Sequence, residues 1–383
     1  MKTRAITGVL SVLALAASLS AQAQVKIGVI ASATGPTAFV GIPQKNSVAM
    51  LPKKAGNLDI EYIVYDDASD SSQSVQLTKK LLSEHRIDAL IGPSGSPNAM
   101  GVQQFLTEAQ TPMLAPVGTT AIVQPMDDKK RWTFRTHPSD EVIADGIIAA
   151  MTKRGVKTVG FIGFNDPYGE SWHKTFAPMA EKAGMKIVAN ERYARQDTSV
   201  TGQVAKLIAA KPDGILVAGV AAGAALPHGQ LVDAGYKGTI FHTHGSASGA
   251  FIQIGAKKVE GALVVGPLLL VPEDIPDGAP TKKVTLEYVT GYEKQFGSRP
   301  PIFGAGTYDA GLLLLRAIPE AARKGKPGTP EFRAALRDAL EGTKDMVTSQ
   351  GVVTMSATDH SGFDHRGRVL VTVKDGKFVL VKD

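Results

Sequence analysis

The chain has 383 residues, 43% of them apolar, with no cysteine and a formal net charge of +6. That length and composition exclude a disordered chain and exceed what one core organises, so two domains are expected; the missing cysteine excludes disulfides, thiolate catalysis and cysteine-bound zinc. The positive charges are scattered, and their longest cluster, Lys129-Lys130-Arg131, follows Asp127 and Asp128, which reads as a solvated loop and argues against a nucleic-acid surface.

The N-terminus carries Lys2 and Arg4, then an apolar stretch from Ile6 to Leu19, then Ala21-Gln22-Ala23. This order is that of a cleaved secretory signal over residues 1–23, with a mature chain starting near Gln24. The stretch is shorter than the roughly 20 residues that span a bilayer. Without a cysteine to carry lipid, the mature protein is expected free in an enclosed compartment, the periplasm.

Short Val- and Ile-rich runs follow at Lys26 to Ile30, Ile60 to Tyr65, Ala89 to Ile91 and Met113 to Ala115. Between them, Ser72 to His85 places Val75, Leu77, Leu81 and Leu82 at helical spacing. Strands alternating with helices imply a parallel sheet. After 135–140 the alternation restarts, with strands expected at Thr158 to Gly163, Lys186 to Ala189, Gly214 to Ala218, Thr239 to His242 and Leu263 to Val265. A Pro-rich connection from Pro267 to Pro280 leads to helices around Val284 to Phe296 and Tyr308 to Ala322. Asp375-Gly376 between two alternating strands ends the chain in a hairpin.

Two units of this kind are an α/β architecture: two Rossmann-like lobes with parallel sheets, joined by a hinge of three crossing strands, with a ligand site in the cleft between them. The expected lobes are 25–138 plus 268–345 and 139–267 plus 346–383.

In the first unit, Ile91-Gly92-Pro93-Ser94-Gly95-Ser96-Pro97-Asn98 joins a strand to a helix, with Ser96 placed as N-cap and Pro97 as first helical residue. A helix start at a strand's carboxyl end suits an anion such as a carboxylate, although Ser96 could equally cap its own helix. Ala115-Pro116-Val117-Gly118-Thr119-Thr120 repeats the device on the next strand. In the second unit, Asp166 is placed as N-cap and Pro167 as first helical residue, projecting Tyr168 into the cleft. Asp66 and Asp67 at a strand end point apart and are expected in solvent or turn hydrogen bonds.

His242-Thr243-His244 ends a strand, as in some metal-dependent hydrolases, but His360 and His365 lie in a polar turn and supply no further ligands. Gly245-Ser246-Ala247-Ser248-Gly249 has alanine where a nucleophile elbow needs serine. Gly304-Ala305-Gly306 is followed by Asp309 in place of the third dinucleotide-binding glycine, and no Gly-Lys-Ser/Thr phosphate loop occurs. No enzyme, cofactor or metal is expected.

Ile27-Gly28-Val29 with Thr34-Gly35-Pro36, Tyr65-Asp66-Asp67-Ala68-Ser69-Asp70, Ile91-Gly92-Pro93, Asp166-Pro167-Tyr168-Gly169 and Tyr308-Asp309-Ala310 occur in this order. Together they resemble the periplasmic leucine/isoleucine/valine-binding proteins of branched-chain amino acid ABC importers, which have the type I periplasmic binding protein fold. The resemblance covers nearly the whole mature chain. It implies a carboxylate subsite at Ser96, Val117 and Thr119, and an aromatic contribution from Tyr168. It also implies an inner-membrane permease as partner, and a monomer is expected.

Departures from the family's pattern fall on the amino end of its ligand. The acid that pairs with a bound ammonium falls on His244, which is neutral or positive near neutral pH. Two tyrosine positions fall on Val40, beside Phe39, and on Val220. A disulfide common in the family would fall on Ser69 and Gly95, both of its halves absent. The expected ligand keeps a carboxylate and lacks an amino group, an aromatic or branched organic acid leading. The alternatives are an amino acid carrier with a rearranged ammonium site using Asp166 or Glu170, a ligand sensor for a membrane receptor, and the metal hydrolase.

Overall fold

The computed structural model describes residues 24–382; the expected signal segment lies outside them. Strands β1 (Val25–Ala31), β2 (Lys54–Ala55), β3 (Leu58–Asp66), β4 (Ala89–Ile91), β5 (Met113–Ala115) and β6 (Thr133–Arg135) form one sheet in the order β2-β3-β1-β4-β5-β6. Apart from the short β2, all its pairings are parallel. A second sheet runs β15-β14-β11-β10-β9-β7-β8. It contains β7 (Thr158–Phe164), β8 (Lys186–Tyr193), β9 (Gly214–Ala218), β10 (Thr239–His242) and β11 (Leu263–Pro267), all parallel, and the antiparallel edge. A small pair, β12 (Met346–Val347) and β13 (Val352–Val353), precedes that edge hairpin of β14 (Arg368–Lys374) and β15 (Lys377–Leu380).

Helices α1 (Ala38–Ala49), α2 (Ser71–Lys80) and α3 (Ser96–Glu108) cover the first sheet. Helices α4 (Asp140–Lys153), α5 (Pro167–Lys182), α6 (Thr201–Ala209), α7 (Ala222–Asp233) and α8 (Gly249–Gly255) belong to the second, and α9 (Thr281–Phe296), α10 (Ile302–Ala321) and α11 (Pro330–Glu341) follow the connection. The alternation of β1 explains the layering: Ile27 and Val29 pack with Leu314 of α10 and Leu336 of α11, while Ile30 packs with Val102 and Leu106 of α3. A parallel strand buried on both faces reads as a continuous apolar run, which is why these strands were legible. Around the second sheet, Phe161 and Val217 join Ile147 of α4 and Trp172 and Phe176 of α5 in one core.

The chain passes between the sheets three times: after β6, after β11 and before β14. The expected lobe boundary at 345 needs correction. Val353, Met355 and Phe363 join Phe332 and Leu336 in the first lobe's core, and Arg135 N–H donates to the His360 carbonyl at 2.8 Å, so 346–363 packs on the first lobe.

Asp67 makes the expected turn hydrogen bond, from Ser69 N, but its burial and its further partners depart from expectation. It is buried and accepts from Ser32 Oγ and Ser74 Oγ at 2.6 Å, Asn98 Nδ2 at 2.9 Å and Ser69 N at 3.1 Å. It thereby ties the ends of β1 and β3 to the start of α3. Where the family's disulfide would fall, the Ser69 hydroxyl donates to the Thr34 carbonyl at 2.8 Å and meets Thr37 Oγ1 at 2.8 Å, so polar contacts hold this loop.

The first turn of α5 lies directly on the end of β7: a Cβ on Gly169 would sit 1.9 Å from the Phe164 carbonyl oxygen. Gly169→Ala must lift the helix that carries Tyr168. It is expected to lower stability by about 2 kcal/mol, measured by urea unfolding.

Candidate functional site

The carboxyl ends of both sheets' parallel strands face one another, and a cavity of about 500 Å³ of atom-free space lies between them. Open α/β sheets bind ligands at this edge. From the first lobe it is lined by Thr37 and Val40 after β1, Gly95 and Ser96 after β4, and Pro116, Val117 and Gly118 after β5. The second lobe contributes Tyr168 after β7, Arg195 after β8, Val220 after β9, and His244 and Gly245 after β10. His137 enters from the first crossing, and Ile302 and Phe303 from the start of α10. A wider groove of about 1380 Å³ near Thr120, Ser171 and Phe363 contains none of the expected site residues.

The structure brings Ser96, Val117, Tyr168, His244, Val40 and Val220 to this cavity. Phe39 does not line it; one step along α1 from Val40, its ring lies edge-on to Phe303 at 6.1 Å. Thr119 is fully buried, its hydroxyl donating to the Pro167 carbonyl at 3.2 Å and accepting from Ala121 N at 3.3 Å. That hydroxyl bridges the lobes and does not reach the cavity.

Ser96 is not the N-cap. Gly95 takes that position with φ 79°, a left-handed conformation that favours glycine, and Ser96 is the first helical residue. Ser96 is buried and lines the cavity, with its hydroxyl in no hydrogen bond among the described residues. The backbone N–H groups of Ser96, Val117, Gly118 and Thr119 likewise have no acceptor among the described residues. Buried N–H groups require partners, so these mark a place for an acceptor ligand or for water. Gln44 of α1 fixes the spacing of the two loops: its Nε2 donates to the Pro116 carbonyl at 3.3 Å and its Oε1 accepts from Ser94 Oγ.

Behind Gly118 lies a fully buried ion pair. Arg135 donates to the Gly118 carbonyl and to Thr120 Oγ1, both at 2.9 Å, and stands 3.6 Å from Asp140. Burial pushes the Asp140 carboxyl up, and Arg135 pulls it back down. Because the Gly118 carbonyl faces Arg135, the Thr119 N–H of the same trans peptide points the opposite way.

Tyr168 shares a hydrogen bond with Thr243 Oγ1 at 2.7 Å, and burial pushes its phenol up, so it remains neutral. His137 bonds through Nδ1 to Gln350 Oε1 at 2.8 Å, and burial holds its pKa down to about 4. His244 is buried, with Nδ1 unpartnered; burial first, then His137 and Arg135, keep it neutral. No aspartate or glutamate lines the cavity among the described residues. Asp166 caps α5 as expected, accepting from Tyr168 N at 2.9 Å, and pairs with Arg195. Glu170 pairs with Arg192 at 2.6 Å. Neither is free for a ligand ammonium.

His242 and His244 do not converge on a metal. His242 bonds to His228 at 2.8 Å and to Ser246 Oγ at 2.9 Å inside the second lobe, and no cluster of potential metal ligands occurs among the described residues. Sequence reasoning missed Thr37, His137, Arg195, Ile302 and Phe303 as lining residues. His137 alone carried a signal, standing where the strand alternation breaks.

A model of the family described as periplasmic binding protein matches residues 24–377. A Leu/Ile/Val-binding protein homolog 3 from Brucella melitensis is 25% identical, over 91% of this chain and 93% of its own. An extracellular ligand-binding receptor from Rhodopseudomonas palustris HaA2 is 42% identical with a TM-score of 0.90, covering 94% of this chain and 100% of that one. The branched-chain amino acid transporter substrate binding protein LivJ of Streptococcus pneumoniae, in complex with isoleucine, shares the fold at 19% identity and a TM-score of 0.77 over 94% and 100% of the two chains. No helix among the described residues is long and apolar enough to cross a membrane.

Proposed function

Because the chain belongs to the periplasmic binding protein family, we propose that it captures a small carboxylate without an amino group, an aromatic or branched organic acid, and delivers it to an inner-membrane ABC importer. One observation carries this reading: among the described residues the cavity has unpaired N–H donors and the Ser96 hydroxyl on one wall and no carboxylate on any wall. The carboxylate rests against Ser96 and the 117–119 amides. Its apolar body packs among Val40, Val220, Ile302, Phe303 and the Tyr168 ring. The relatives' names favour amino acids, but burying an ammonium group here leaves it without a counter-ion, an expense of several kcal/mol.

Contacts from both walls stabilise the closed form, and the permease reads that form in the periplasm, where the protein acts as a monomer. Binding energy is used for capture, and no bond is broken.

Titration with benzoate, leucine and valine tests the reading. Saturable micromolar benzoate binding with no response to either amino acid is expected; the reverse pattern contradicts it. Ser96→Ala removes one hydrogen bond to a charged group and is expected to weaken benzoate about tenfold by calorimetry.

A further inference from the structure

We propose that the cavity takes up one proton with its carboxylate ligand, held by the His137 and His244 pair, so that an organic acid is captured as anion plus proton. This rests on the carboxylate reading above and adds a regulation of the same site by pH.

The geometry begins at the hinge. Gln350, on the third crossing, donates through Nε2 to the Thr136 carbonyl at 3.0 Å and to Asp309 Oδ2 at 2.9 Å. With both donors so used, its Oε1 is an acceptor, and His137 must carry its proton on Nδ1 to complete their 2.8 Å bond. A neutral His137 therefore carries a lone pair on Nε2, which has no hydrogen-bond partner among the described residues and lies on the ring edge beside Gly306 of α10. A carboxylate oxygen is also an acceptor, and the two repel unless a proton lies between them. His244 stands 6.2 Å from His137, centroid to centroid, with its enclosed Nδ1 unpartnered. Its Nε2 lies 3.2 Å from where a Cβ on Gly118 would be, beside the unpaired amides.

The charged groups around the pair are already matched. Arg135 is set against Asp140, Arg195 against Asp166, and both Asp309 oxygens accept N–H groups, from Ser349 at 2.8 Å and from Gln350. The Tyr168 hydroxyl is engaged with Thr243. Among the described residues that line the cavity, no unpaired cation is left to neutralise a buried carboxylate, and a proton on an imidazole is the available charge. Two rings this close and this buried accept one proton and not two, titrating as a pair.

The sign follows from burial. In the ligand-free protein His137 is neutral above about pH 4, and a carboxylate beside the pair raises its affinity for a proton. Between that pH and the higher value reached in the complex, affinity falls about tenfold for each pH unit of rise.

Calorimetry of benzoate binding by the mature chain at pH 6.5, in two buffers of different ionisation enthalpy, reads proton uptake directly. Uptake near one proton per benzoate is expected, with one histidine signal changing from neutral to imidazolium by NMR on saturation. The folded His137→Gln/His244→Gln double variant is expected to lose the uptake. Tight benzoate binding with no uptake overturns this inference alone, through Arg195 leaving Asp166 or through a ligand donor meeting His137. Binding of leucine in place of benzoate, or no binding of benzoate, overturns the carboxylate reading and this inference together.

Discussion

Taking the ligand-free protein from pH 7 to pH 5 is expected to lower its unfolding free energy by at least about 3 kcal/mol. His137 and His228 are buried with pKa values held down to about 4, burial being the main cause in each, against an ordinary value of 6.5. A histidine neutral in the fold and protonated in the unfolded chain makes the unfolded state bind more protons. Its contribution is therefore fully present above pH 6.5 and is lost as pH falls toward 4. At pH 5 the loss is about 2 kcal/mol for each of the two. Asp309 opposes them: burial raises it to about 6 from 3.8, so the fold gains about 1 kcal/mol as this carboxyl protonates. The two histidines outweigh it, and His242 and His244, shifted in the same direction, add to the loss. Urea unfolding at both pH values checks this, and equal or greater stability at pH 5 contradicts it. A loss of this size is a large share of a typical domain's stability.

Gly118→Ala is expected to weaken ligand binding about a hundredfold or more while sparing the core of each lobe. Its Cβ would lie 2.5 Å from Tyr168 Cε2 and 3.2 Å from His244 Nε2, two side chains of the opposite lobe. Tyr168 has no room to yield, held by its bond to Thr243 and wedged between Phe164 and Trp172. The clash is between the two lobes, so opening the cleft would relieve it. It therefore acts on the equilibrium that capture depends on and spares each core. Benzoate titration together with a thermal melt of the ligand-free variant separates the two effects. Unchanged affinity means that closure does not bring Gly118 against Tyr168.

What was legible in the sequence was local. Buried parallel strands are apolar on both faces, so Ala89 to Ile91, Met113 to Ala115, Gly214 to Ala218 and Thr239 to His242 were read with their observed bounds. Asp375 and Gly376 adopt φ 50° and 69°, the left-handed pair that a two-residue hairpin requires. Asp166 caps α5 because its carboxylate finds two N–H groups within its own turn. Errors arose where a partner from elsewhere decided the outcome. The Thr119 hydroxyl goes to Pro167 of the other lobe, and a glycine with positive φ takes the cap expected of Ser96. Phe39 and Val40 are adjacent, and α1, with Pro43 inside it, has no apolar stripe strong enough to show which of them faces the cleft. His137 belongs to the site only because a hinge crossing passes behind the cavity. The boundary at 345 failed because 346–363 carries its own apolar residues into the first core.

The central claim is that this cleft holds a carboxylate and has no counter-ion for an ammonium. Leucine and 4-methylpentanoate differ only in that ammonium, so the ratio of their dissociation constants, measured by calorimetry under one set of conditions, isolates it. Binding of 4-methylpentanoate at least about a hundredfold tighter than leucine is the result expected from an uncompensated buried charge. Leucine binding as tightly as 4-methylpentanoate, or more tightly, would show that an acidic partner for the amino group exists and that the claim is wrong.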